Sequence, residues 1–357
     1  MNNIARIQQQ LIEKGLDALL ILDEKNQRFA TGFPFTDGAV VVGREKAWLL
    51  TDSRYIEAAE KIAGGCCEVR LFDREHPLNG QLQALLRGFG VIGAEEESLS
   101  YARYAGYEKL LGVTLHPAQA LLRTLRASKT EEEIQSMIRA QRVSEKALEE
   151  VLHILRPGMT ERELMAELVY HMLKNGSEGN SFDPIVVTGK NTSMPHGVPG
   201  DTVIQNGDFV TMDFGSLADG YCSDMTRTVA VGYATEEMKN VYDIVLRAQL
   251  AGIAAARSGI PGKVIDEAAR AVIREAGYGA YFGHGFGHSL GLDIHEPPFA
   301  GPTGEALMVE NDLCSAEPGI YLPGRFGVRI EDVMIIRSTG AEVITKAPKE
   351  ELIVVNN

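Results

Sequence analysis

The sequence is short of three things. It has four cysteines, Cys66, Cys67, Cys222 and Cys314, with two adjacent and none in CxxC spacing. That is too few for a disulfide scaffold and suits a reduced, cytoplasmic protein. No run of 18 apolar residues occurs, so no membrane-spanning helix is expected. The start, Met1-Asn2-Asn3-Ile4-Ala5-Arg6, lacks the basic patch and apolar stretch of a signal peptide. Cationic charge is scarce as well. Lys and Arg total 35 against 49 Asp and Glu, a formal net charge of −14, so nucleic acid and anionic membranes, both polyanions, are poor partners. What remains is an ordinary globular composition, 45% hydrophobic and 24% charged over 357 residues, enough for two domains.

The first 125 residues alternate strand and helix signals. Ile4, Ile7 and Leu11 share a helical face that Gly15 should stop. Ala18–Leu22, Ala39–Val42, Trp48–Leu50, Val69–Phe72 and Val91–Ala94 read as strands, and residues from about Asn79 to Arg87 as a helix. This alternation predicts an α/β layer. After a boundary near Arg126, Thr130 with Glu133 and Thr160 with Glu163 form capping boxes for two helices, broken at Pro157-Gly158 and stopped near Gly176. The punctuation returns about a hundred residues later: a helix after Thr235, a break at Pro261-Gly262, and a stop near Gly277. A β-rich stretch holding acids and histidines follows each pair. An internal duplication with pseudo-two-fold symmetry would explain the repeat.

In the first β-rich stretch, Ala218-Asp219-Gly220 is a turn signal, and a hairpin centred at 218.5 would set Asp213 opposite Asp224. In the second, a hairpin centred on Gly324 would set Glu317 opposite Glu331. Directly opposed like charges destabilise a sheet, so two such pairs in apolar sequence point to a cation between them. Between the hairpins lie His284, His288 and His295. His284 and His288 have the i, i+4 spacing of a zinc helix, but the interleaved glycines favour a strand or loop pressed close to a ligand. His196 sits in a proline-bounded loop.

Taken with Ala30-Thr31-Gly32-Phe33 and Leu49-Leu50-Thr51-Asp52-Ser53-Arg54-Tyr55, these stretches resemble the pita-bread metallopeptidases, in the branch of prolidase, aminopeptidase P and creatinase. The resemblance implies an α+β protein: a creatinase-type α/β N-terminal domain over 1–125 and a duplicated catalytic domain over 126–357. By resemblance the metal ligands are Asp213, Asp224, His288, Glu317 and Glu331, with Asp224 and Glu331 bridging two divalent ions. One imidazole among four carboxylates is an oxygen-rich set that suits Mn²⁺, with Co²⁺ or Zn²⁺ as alternatives. The implied reaction is hydrolysis of a Xaa-Pro bond by a metal-bridged hydroxide. Glu317 would shuttle the proton, and His196 and His295 would bind substrate and the tetrahedral intermediate. Arg329 and Asp332 would support the ligands, His284 would line the site, and Arg325 would clamp a substrate carboxylate. The implied partners are Xaa-Pro dipeptides or short proline-containing peptides, and the implied assembly is a homodimer, with Phe33-Pro34-Phe35-Thr36-Asp37-Gly38 as a bordering loop. Dipeptidase and aminopeptidase P both remain open. So do two further readings, a creatinase-like C–N hydrolase, which the complete ligand set disfavours, and a non-catalytic peptide-binding module.

Overall fold

The structure is a computed structural model that describes residues 2–356. Met1 and Asn357, the outer ends of the two expected domains, lie outside the described residues. The chain divides into two compact units, the first ending at Arg126 and the second beginning at Ala127. No helix among the described residues is long and apolar enough to cross a membrane.

The first unit runs α1 (Ile4–Lys14), β1 (Ala18–Ile21), α2 (Glu24–Thr31), β2 (Gly38–Gly43), β3 (Ala47–Thr51), α3 (Ile56–Ala63), β4 (Glu68–Leu71), α4 (Leu78–Leu86), β5 (Ile92–Ala94), α5 (Tyr101–Leu111), β6 (Leu115–Pro117) and α6 (Gln119–Ala127). Its six strands form one mixed sheet in the order β4-β3-β2-β1-β5-β6. Ile4, Ile7 and Leu11 are the buried face of α1. Gly15, at φ 70°, ends it as expected, with Leu16 N–H donating back to Leu11 O at 2.9 Å. β1 is buried along its whole length, which is why its residues form a continuous apolar run.

The second unit runs α7 (Glu131–Leu152), α8 (Glu161–Lys174), β7 (Ile185–Thr188), β8 (Phe209–Phe214), β9 (Leu217–Ala218), β10 (Tyr221–Cys222), β11 (Met225–Val231), α9 (Glu236–Ala255), α10 (Gly262–Glu275), β12 (Gly287–Leu290), β13 (Glu296–Ala300), β14 (Leu313–Ala316), β15 (Gly319–Leu322), β16 (Phe326–Arg329), β17 (Asp332–Arg337), β18 (Gly340–Val343) and β19 (Val354–Val355). Both capping boxes form, at Thr130 with Glu133 and at Thr160 with Glu163. One sheet, β19-β11-β8-β7, packs Val210, Met212, Phe214 and Val229 against Leu148, Val151, Leu164 and Leu168 of α7 and α8. The other, β13-β12-β14-β17-β18, joins Cys314, Ala316 and Met334 to Val241, Val245 and Ile265 of α9 and α10. Each half of the duplicated pattern thus buries its own helix pair against its own sheet. Gly252 on α9 admits the Phe286 ring so closely that an added Cβ would lie 2.3 Å from it.

The hairpins decide where the acids fall. The first differs from expectation. Asp219 and Gly220 both have positive φ, 50° and 73°, the signature of a two-residue type I′ turn. The turn therefore centres at 219.5, and β8 pairs with β11 so that Asp213 faces Thr226 rather than Asp224. The offset from the expected register is two residues. Because side chains alternate with period 2, Asp213 and Asp224 still lie toward one face, as diagonal rather than direct neighbours. The second hairpin follows the expected centre. Ala316 pairs with Asp332 and Gly319 with Arg329, one continuous register about Gly324. Glu317 and Glu331 sit at the break between these two ladders.

Arg227 ties the strand ends together from within. It is fully buried and donates to Glu331 O at 2.6 Å, Ala347 O at 2.7 Å, Pro348 O at 3.0 Å and the Asp332 carboxylate at 2.8 Å. Replacing Arg227 by Met should destabilise the second unit by about 3–5 kcal/mol, the cost of removing one partner from a buried ion pair. Urea unfolding followed by far-ultraviolet circular dichroism checks this, and an unchanged midpoint and slope would refute it.

Candidate metal centre

The two hairpins and β12 converge on one cavity of about 680 Å³. Asp213, Asp224, His288, Glu317 and Glu331 all line it, together with His196, His284, His295 and Arg329. Asp213 is near the end of β8, and Asp224 immediately precedes β11. His288 is on β12, where glycine is required on its N-terminal side: a Cβ on Gly287 would lie 2.0 Å from Ser315 O. The glycine-rich histidine stretch is thus strand and loop, not helix.

Asp224, His288 and Glu331 each present a donor atom within 4.8 Å of the others. His288 Nε2 lies 3.3 Å from Glu317 Oε1 and 3.6 Å from Asp224 Oδ2. Its Nδ1 is 3.1 Å from Ser289 O. A carbonyl only accepts, so Nδ1 carries the proton and the Nε2 lone pair faces carboxylate oxygens. Burial, then the neighbouring His295, pushes the His288 pKa down to about 4, so protonation does not relieve this opposition at neutral pH. Asp213 Oδ1 and Asp224 Oδ1 are buried without any hydrogen-bond partner. Acceptors turned toward acceptors in a buried site call for a cation. The donors present, one imidazole and four carboxylates, fit divalent metal ions of the harder kind.

The carboxyls report the same frustration. Burial and the adjacent Glu331 hold Asp224 well above the usual carboxylate range. Burial and the adjacent Glu317 do the same to Glu331. Burial pushes Glu317 up to about 8, against the pull of Arg329. Arg329 is the counter-charge, buried and bonded through four of its five N–H donors. It donates to Asp213 Oδ2 at 2.5 Å, Thr226 Oγ1 at 3.0 Å, the Tyr321 hydroxyl at 2.9 Å and Pro195 O at 3.4 Å. Thr226 in turn donates to Glu331 Oε2 at 2.7 Å.

His284, itself in the cavity lining, is held by Tyr321. Its Nε2 is 2.8 Å from the Tyr321 hydroxyl, and its Nδ1 is 2.9 Å from Gly285 O. His295 stacks edge-on against His288 with ring centroids 4.3 Å apart. Two residues singled out from sequence are not brought into the cavity. Arg325, in the β15–β16 turn, is exposed, pairs with Glu237 and lies over the Phe326 ring. Its turn projects outward, so it is not placed as a carboxylate clamp. Asp332 is buried behind the site, bonded to Arg227 and Lys349. Tyr321, Thr226 and Ser315 went unnoticed in the sequence. Ser315 donates to Glu317 Oε1 at 3.2 Å, and a hydroxyl in a strand carries no motif that would single it out. The rest of the cavity is mostly apolar, with Phe182, Ile185, Val198, Ile294 and Phe299 along its wall and Asp183 as the further carboxylate.

Residues 135–338 match the model of metallopeptidase family M24, and residues 3–128 match that of the creatinase/prolidase N-terminal domain. The chain is 37% identical to the uncharacterized peptidase YqhT of Bacillus subtilis, over 95% of this chain and 96% of that one. Among solved structures it is similar to a Xaa-Pro dipeptidase from Bacillus anthracis, at 39% identity and a TM-score of 0.93 with 99% of each chain covered. It is also similar to an X-Pro aminopeptidase from Thermotoga maritima, at 35% identity and a TM-score of 0.91, covering 99% of this chain and 100% of that one. The fold is thus the α+β pita-bread arrangement that the sequence resemblance implies.

The displaced carboxyls make metal-free stability depend on pH in a defined direction. Glu317 ionises near 4.5 when unfolded and near 8 when folded, so folding takes up a proton across that interval and stability falls as pH rises. Asp224 and Glu331 act in the same direction. His284 and His288, moved from 6.5 to about 4, oppose this only below pH 6.5. The melting temperature of chelator-treated protein should therefore fall between pH 6.5 and 8, and added Mn²⁺ should raise it most at pH 8. Scanning fluorimetry measures both, and a flat or rising profile without chelated metal would contradict the electrostatics described here.

Proposed function

The chain belongs to metallopeptidase family M24, and from that membership we propose that it is a dinuclear metallopeptidase that hydrolyses the bond between an N-terminal residue and a following proline. The observation that carries this reading is the pair of unpartnered buried acceptors, Asp213 Oδ1 and Asp224 Oδ1, beside a His288 Nε2 that faces carboxylate oxygens, in one cavity. Asp213, Asp224, His288, Glu317 and Glu331 would hold two divalent ions, Mn²⁺ by the oxygen-rich donor set, with Asp224 and Glu331 shared. Such ions, when bound, supply Lewis acidity that eases deprotonation of water and polarises an amide carbonyl.

The chain's own groups do the rest. Glu317, whose Oε1 is positioned by Ser315, takes the proton of the attacking water and returns it to the leaving nitrogen. His196 and His295 face the same cavity and hydrogen-bond the developing oxyanion. Arg329 holds Asp213 and, through Thr226, Glu331, so that their remaining oxygens point inward. A cavity of about 680 Å³ is of a size to take a short peptide. Proline after the cut bond makes a tertiary amide with no N–H, and an apolar wall offers its ring contact without asking for that hydrogen. The specificity for proline is supported by the dipeptidase and aminopeptidase named above. The same reading makes the protein a cytoplasmic homodimer with all four cysteines reduced.

Arg329 commits four of its five N–H donors to Asp213, Thr226, Tyr321 and Pro195, and Arg325 is engaged with Glu237, so neither is set aside as a clamp for a substrate carboxylate. The deciding experiment therefore runs a Xaa-Pro dipeptide beside a Xaa-Pro-Yaa tripeptide, with Mn²⁺ and with chelator. Metal-dependent release of the first residue is expected. Absence of bound metal together with no cleavage of either peptide would overturn the proposal in favour of a non-catalytic peptide-binding module. His196→Ala should lower kcat by about 10²–10³-fold, the usual loss for one oxyanion donor, while the metal content measured by mass spectrometry stays at the wild-type level.

A further inference from the structure

Resting on the reading of His288 as a ligand and His295 as a substrate residue, we propose that Lys129 is a positioning residue, whose ammonium locks the β12–β13 bulge that sets these two imidazoles against each other. Lys129 Nζ lies 2.5 Å from Asp312 Oδ1 and 3.5 Å from Glu296 Oε2. The side chains are 1%, 0% and 6% exposed respectively. A cation and two carboxylates are thus buried together directly behind the site.

Each carboxylate reaches the residue next to a functional histidine. Asp312 Oδ2 is hydrogen-bonded by Ser289, which follows His288, and Ser289 Oγ is also 2.8 Å from Pro298 O. Glu296 follows His295 directly, and its Oε1 accepts from Asp293 N at 3.1 Å. The ladder between the two strands breaks at this point: His288 faces Phe299, but Ser289 faces Glu296. Pro297 and Pro298 are therefore extra residues on β13. A bulge of this kind re-aims the side chains beside it, and its geometry must be fixed by something other than ladder hydrogen bonds. The Lys129 group supplies that fixing. The lysine is itself held from its own backbone, with Lys129 N donating to Asn311 O at 3.1 Å and Ser128 Oγ to Glu310 O at 2.9 Å. Packing is tight around Glu296 as well, since a Cβ on Gly291 would lie 2.8 Å from its Oε2.

Buried ion pairs are weak sources of stability, because desolvation offsets the attraction. What they fix is geometry, and here the geometry is the 4.3 Å ring contact of His288 and His295.

The test compares Lys129→Met, Lys129→Arg and Ser289→Ala in the full-length protein. It measures kcat and KM on the Xaa-Pro-Yaa tripeptide and Mn²⁺ affinity by calorimetry, per folded molecule. Lys129→Met should lose about 10–100-fold in kcat and in Mn²⁺ affinity, the range for groups that orient metal ligands, with KM changed less than about 3-fold. Lys129→Arg should recover most of both. Ser289→Ala keeps the Lys129–Asp312 and Lys129–Glu296 pairs and removes the hydroxyl that joins Asp312 and Pro298 O to the bulge, so it decides the matter if Lys129→Met fails to fold, and should weaken both quantities in the same direction but by less. Unchanged kcat and Mn²⁺ affinity per folded molecule, with only a lower melting temperature, would overturn the positioning role. A wild-type protein that neither binds Mn²⁺ nor cleaves would instead overturn the peptidase reading itself.

Discussion

Three buried carboxylates, Asp213, Asp224 and Glu331, and a partly buried fourth, Glu317, surround one imidazole, and they cannot all be ionised away from bulk water without compensation. Arg329 supplies one positive charge. The others are left opposed, which is why burial and mutual repulsion drive Asp224, Glu317 and Glu331 upward. The surrounding structure answers this constraint. Thr226 turns Glu331, Ser315 turns Glu317, and the Ser289 carbonyl fixes which nitrogen of His288 is bare. Every one of these contacts leaves an acceptor facing the centre of the cavity.

The duplicated architecture delivers the acids in pairs. Each half contributes one hairpin carrying two acids: in the first, Asp213 pairs with Thr226 and Asp224 lies just beyond the ladder, and in the second, Glu317 and Glu331 keep the register about Gly324 but fall where the ladder is interrupted. Interruption frees the side chains to converge across the two sheets rather than repel across one. Asp213 and Arg329 come from different hairpins and meet at 2.5 Å. The site therefore exists only when both halves are folded. Behind it, buried charge recurs in two places, around Arg227 with Asp332 and around Lys129 with Asp312. The first bonds the Glu331 carbonyl, and the second bonds Ser289, next to His288.

Chemically, the cavity combines two kinds of lining. Asp213, Asp224, Glu317 and Glu331 make one part anionic, whereas Phe182, Ile185, Val198, Ile294 and Phe299 make another part apolar. Three further histidines, His196, His284 and His295, line the same cavity. His284 is the most constrained of them, neutral at physiological pH because burial and the nearby Arg329 push it down to about 4.

Helix caps, the duplicated punctuation and the acid-bearing hairpins were legible in the sequence, because each rests on local chemistry: Thr130 with Glu133, Pro-Gly breaks, and glycine in turns. Several short helices of the first unit were not. In α2, Asn26 and Gln27 are buried, and α5 buries no residue at all, so neither presents the apolar stripe that periodicity detects. The first hairpin's centre was misplaced by one residue because Asp219 adopts the left-handed conformation together with Gly220, and a sequence shows which residues tolerate that conformation but not which pair adopts it. Composition and order alone determined that acids and histidines would gather and that a cation was needed. Only the tertiary structure decided that Arg325 turns outward to Glu237 while Arg329 turns inward to Asp213. Two arginines four residues apart on one hairpin look alike in sequence, and what separates them is which side of the sheet is buried and which meets water.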